Sequence, residues 1–109
     1  MTSSSSITLS GHSGAAYEFE LFPLPSPLPP LPAVYFVFEQ EPKTSRAQSR
    51  HAVHVGQSPN AASCIDDHHR WRYQAYRASH IALHVDYDES SRAQKVSDLV
   101  RALRPTFNG

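Results

Sequence analysis

The spacing of apolar side chains divides the chain into elements. Residues 16–22 (AYEFELF) alternate, with Tyr17, Phe19 and Leu21 on one side and Glu18 and Glu20 on the other, the pattern of a half-buried strand. Residues 33–39 (AVYFVFE) are β-branched and aromatic almost throughout, which predicts the strongest strand of the chain. A polar loop follows, then a short strand at 51–55 (HAVHV) closed by Gly56, so the two strands read as a hairpin with a long tip. Ala61, Cys64, Ile65, His68, Trp71 and Ala75 recur at steps of three and four, which predicts an amphipathic helix from the Ser58-Pro59-Asn60 turn to about Tyr76. Residues 79–86 (SHIALHVD) alternate again and predict a further strand. Asp88 or Ser90 caps a last helix, whose stripe is Ala93, Val96, Leu99, Val100 and Leu103 and which Pro105 ends. The connection between the first two strands has six prolines in residues 23–32, so neither a helix nor a central strand fits there. A stiff polyproline-like link does. Its Pro27-x-x-Pro30 and Pro29-x-x-Pro32 spacings match ligands of polyproline-binding domains, but no Arg or Lys flanks them and a rigid link is the reading preferred.

The order β, Pro-rich link, β, β, α, β, α implies an α+β fold, a small antiparallel sheet flanked by helices. At 109 residues one domain is expected, over residues 11–109, after a flexible Ser/Thr-rich start at 1–10. Hydrophobic residues make up 39%, enough for one modest core and too many for a disordered tail. A single cysteine, Cys64, excludes an intramolecular disulfide and a four-cysteine zinc site. No apolar run reaches the roughly 20 residues of a membrane helix, and the N-terminus lacks the basic start and apolar block of a secretory signal. A cytoplasmic protein without a membrane partner is therefore expected.

The formal net charge is zero with histidine neutral, which removes the simplest nucleic-acid signature, a globally basic chain. The distribution changes that picture. Residues 1–42 hold four acids and no Lys or Arg, whereas residues 43–109 hold ten bases against six acids, and six of the seven histidines lie beyond residue 50. Arg70, Arg72 and Arg77 interleave with Trp71, Tyr73 and Tyr76, beside His68 and His69, a mixture able to grip phosphates and stack on bases. The plainer reading is a solvated helix face with Trp71 in the core.

Ala33-Val34-Tyr35 and His54-Val55-Gly56, the latter followed by Gln57-Ser58-Pro59-Asn60, resemble the two tripeptides that name the GIY-YIG nuclease superfamily, which sit on neighbouring strands of a small antiparallel sheet. The helix, strand and helix that follow, the closing Arg104-Pro105-x-x-Asn108, the His68-His69 pair and a leading Gly11-x-Ser13-Gly14-x-x-Tyr17-x-Phe19 extend the likeness over residues 11–109. The resemblance implies that fold, with an extra N-terminal strand, and metal-assisted cleavage of phosphodiesters in DNA or RNA. That reaction needs a deprotonated nucleophile and stabilised charge on the phosphate oxygens.

The chain departs from the family where the chemistry lies. Tyr35 and Asn108 keep their positions, His54 stands for the second tyrosine, Cys64 for the arginine and Val96 for the metal-binding glutamate. A thiol has no fork of charged donors, and a valine offers no oxygen to a hard cation. Glu89 and Asp98 are the stand-in carboxylates: Glu89 lies about 10 Å along the helix from position 96, and Asp98 is turned about 200° away from it. The expectation is a vestigial site of Tyr35, His54, Cys64, Val96 and Asn108 that no longer cleaves by the family mechanism. Such a protein binds nucleic acid or a protein partner through the old active-site face. Two alternatives stand beside it: a weak Mg²⁺-dependent endonuclease with altered catalytic residues, and a small inhibitor or regulator that retains only the scaffold. Otherwise no cofactor is expected. His54 also suits a general base, and His54, Cys64 and His68 have the ligand types of a three-coordinate zinc site, against the plain readings of Tyr35 as sheet packing and Val96 as core.

Overall fold

The computed structural model describes residues 5–23, 27–40, 50–63 and 78–105. They form five strands, β1 (Ser5–Ser10), β2 (Ala16–Pro23), β3 (Ala33–Gln40), β4 (Arg50–Ser58) and β5 (His80–Val85), and the helix α1 (Glu89–Leu103). The strands make one antiparallel sheet in the order β1-β2-β5-β3-β4. The fold is α+β, with β3 between β4 and β5 as the deepest strand.

The period of two sorts the side chains of each strand between the two faces. Ile7, Leu9, Phe19, Val34, Phe36, Phe38 and Val55 face α1 and bury Leu99 of the helix, with Val96, Val100 and Leu103 packed around it. Tyr35, Val37, Val53, Ile81 and Leu83 form a second cluster on the other face, with Ala61, Phe22 and Leu28 against it. Val53 and Val55 would share a face in a regular strand. They do not, because the β3–β4 ladder shifts register between Val37 and Phe38: His54 lies opposite Val37 and Ala52 opposite Phe38. The extra residue is the mark of a β-bulge, and it turns Val53 to the second face beside His54.

β2 and β3 both run antiparallel to β5, so they run parallel to each other with β5 between them. The chain must therefore travel the length of the sheet between Pro23 and Ala33. Nine residues of polyproline II span about 28 Å, and an eight-residue strand about 26 Å. A proline-rich sequence of this length has the reach for such a crossover, and Leu28 packs on the second face. Leu31 accepts from the Ala61 N–H at 2.8 Å and Pro32 from the Asp86 N–H at 3.1 Å, which pins the end of the link to the sheet rim.

Asp88 caps α1 by accepting from the Ser90 N–H. Arg104 leaves the helix in the left-handed region (φ 48°), returns its N–H to the Val100 carbonyl, and precedes Pro105, which cannot continue the helix. Two expectations are corrected, and a third falls largely outside the described residues. Residues 5–10, expected within a flexible start, form β1, which pairs with β2 over all six positions. The strand expected to close at Gly56 continues to Ser58. Of the helix expected over 61–76, Ala61–Ser63 forms a 3-10 turn and the remainder lies outside the described residues.

Candidate functional site: a tyrosine-histidine pair on the face away from α1

β3 and β4 bring Tyr35 and His54 together on the face away from α1. Their rings meet edge to face, with centroids 5.4 Å apart. Tyr35 lies opposite Gly56, and only glycine fits there: a Cβ at position 56 would stand 2.5 Å from the Tyr35 hydroxyl oxygen. The missing side chain is thus the notch that receives the phenol ring, which is 7% exposed.

Val96 does not join the pair. It is on α1, packed against the core of the opposite face. Tyr35 and His54 on the strands and Val96 on the helix, expected to share one site, are thereby separated by the thickness of the sheet. Cys64, His68, His69, Arg70, Arg72, Arg77 and Asn108 lie outside the described residues, and with them the zinc alternative and the basic-aromatic cluster. Among the described residues, no group of three or more His, Cys, Asp or Glu gathers to hold a metal ion.

The carboxylates of α1 are engaged in the fold. Asp98 accepts from the Ser13 N–H and hydroxyl and from the Tyr17 hydroxyl, each at 2.7 Å. The Ser13 donors, then Tyr17, hold its carboxyl below the usual range, and the same bond to Asp98, helped by burial, raises the Tyr17 phenol. The His12 N–H adds a bond to the Asp98 carbonyl, and a Cβ at Gly11 would overlap the carboxylate, so the β1–β2 turn is built around this side chain. Gly14, at φ 91°, supplies the left-handed residue of that turn. Glu89 is exposed in the first turn of α1.

Two further α1 side chains complete this seam. Lys95 bonds Asp86 at 2.8 Å and reaches His84 Nε2 at 2.9 Å, while His84 Nδ1 meets the Glu18 carbonyl at 2.9 Å. A carbonyl only accepts, so Nδ1 carries a proton and Nε2 receives the ammonium. Lys95, then the Ser91 hydroxyl, hold the Asp86 carboxyl well below the usual carboxylate range. Arg92, 5% exposed, donates from Nε to Gln57 Oε1 at 2.7 Å and from Nη1 to the Asp86 carbonyl at 3.0 Å. Gln57 follows Gly56, so Arg92 fixes the strand end that holds the notch. The sequence reading missed Arg92, Lys95 and Asp86 as a group: 35 residues separate Arg92 from Gln57, and no local pattern joins them.

Comparison with family models, with curated proteins and with solved structures gives no match to this chain. Among the described residues, no helix is long and apolar enough to cross a membrane.

Proposed function

We propose that the protein is a non-catalytic binding module of GIY-YIG type that engages nucleic acid through the face bearing Tyr35 and His54. One observation carries the reading: α1, with Val96, Glu89 and Asp98, packs on the opposite face of the sheet from the tyrosine-histidine pair. Metal-assisted phosphodiester cleavage needs an oxygen-ligated cation beside the nucleophile, and none of these helix positions delivers a carboxylate to Tyr35. The adjacency of β3 and β4, and the Gly56 notch beneath Tyr35, support the resemblance of the two tripeptides. The excess of bases beyond residue 42 supports nucleic acid as the ligand.

The zero net charge favours a second reading, a regulatory scaffold directed at a protein. Fluorescence anisotropy with short DNA and RNA duplexes at low salt separates the two. Nucleic-acid binding predicts an affinity that falls steeply as salt rises and that weakens in the Arg70→Ala, Arg72→Ala double variant. Absent binding, or binding indifferent to salt, leaves the protein-directed reading.

A further inference from the structure

We propose that β1 is a self-association edge, through which two copies of the chain pair their β1 strands antiparallel across a two-fold axis and join their sheets. β1 ends the sheet, and among the described residues its only backbone partner is β2. One row of its N–H and C=O groups therefore faces outward, and such a row is a template for another strand. Proteins commonly blunt an edge with lysine, proline or a bulge. Ser5–Ser10 has none of the three, and its register with β2 is unbroken. The opposite edge differs: the β3–β4 ladder is bulged.

The chemistry of β1 selects a second copy over a charged peptide. Residues 1–17 contain no Asp, Glu, Lys or Arg, so antiparallel self-pairing sets no like charges against each other. Ile7 and Leu9 lie on the α1 face, and Ser6, Thr8 and Ser10 are exposed on the other. Pairing would set the aliphatic side chains of the two copies beside each other on one face and the hydroxyls on the other, both favourable cross-strand combinations. The nearest acids, Glu18 and Glu20, sit one strand inward, opposite Thr8 and Ser6. Across the joint their counterparts would be three strand spacings away, about 14 Å, beyond the screening length of about 8 Å at physiological salt. A two-fold strand pair uses the same edge on both copies and closes on itself.

Sedimentation velocity on the full chain, from low micromolar to several hundred micromolar, tests the proposal. Wild type is expected to pass from monomer to dimer. Thr8→Lys, which sets an ammonium beside the axis from each copy, is expected to remain monomeric with an unchanged far-ultraviolet spectrum, and Ser6→Lys to do the same. Ala93→Lys, the same charge at an exposed position on α1, is expected to leave the dimer intact. In hydrogen exchange, the outward β1 amides of wild type should gain protection with concentration. A wild type monomeric over the whole range overturns the proposal, as does a dimer that folded Thr8→Lys and Ser6→Lys leave unchanged.

Discussion

The two faces of the sheet use their polar residues differently. On the α1 face, an apolar stripe fills the middle and a polar seam closes the rim: Asp98 around the β1–β2 turn, Lys95 on Asp86 and His84, Arg92 on Gln57. These charged groups have protein partners and fixed geometry. On the other face, among the described residues, a phenol and an imidazole meet over a glycine notch, and Glu18 and Glu20 stand exposed on β2, outside that pair. The comparison teaches that a carboxylate on the last helix is not by itself a candidate metal ligand. Asp98 has the right residue type for a stand-in, but it is the post around which a hairpin turn is folded.

The contrast can be broken at four points, in decreasing order of effect. Leu99→Ala removes the fully buried centre of the α1 face and should cost about 2–5 kcal/mol, read by denaturant unfolding. A loss under 1 kcal/mol would mean that α1 is not the lid of that core. Arg92→Ala leaves Gln57 Oε1 and the Asp86 carbonyl without their donor and should cost about 2 kcal/mol. Because Gln57 adjoins the notch, the Tyr35 ring resonances should also shift, although Arg92 belongs to the other face. Gly56→Ala drives a methyl group into the Tyr35 ring and should cost about 1–3 kcal/mol. Combined with Tyr35→Leu, which removes the phenol, the loss should be clearly less than the sum of the two single losses; strict additivity would mean that the notch does not seat the ring. Lys95→Met should cost about 1 kcal/mol at neutral pH.

The seam also fixes the sign of the acid response. Asp86 and Asp98 have folded-state values below their unfolded ones. Their contribution is therefore present above the ordinary carboxylate value, near pH 4, and is lost as the pH falls from there toward the folded values. Thermal unfolding followed from pH 6 to pH 2 should show that loss, and Lys95→Met should flatten the share that belongs to Asp86. Tyr17, raised in the fold, contributes in the opposite sense: its share is full below about pH 10 and is lost as the pH rises through the raised value.

Strands β2 to β5 and helix α1 were legible because period and caps are local signals. Residues 33–39 are β-branched and aromatic, and Asp88 and Pro105 punctuate the helix at its two ends. β1 was not legible. Its alternation is only Ile7 and Leu9 within a serine-rich run, and its order comes from pairing with β2. The Val53 bulge was hidden for a similar reason, since it shows only in the register with β3 and not in the alternation of HAVHV. In the candidate site, the tyrosine-histidine pair followed from the two tripeptides. The face on which the helix packs did not, because Asp98 meets Ser13 and Tyr17 across more than eighty residues of sequence.

The most direct test of the central claim is incubation of the purified chain with supercoiled plasmid in Mg²⁺ or Mn²⁺, with Tyr35→Phe in parallel. The account predicts that both leave the plasmid intact, because no carboxylate of α1 reaches the face where the phenol lies. Nicking by the wild type that disappears in Tyr35→Phe would contradict it, and would mean that the tyrosine face still assembles a working metal site.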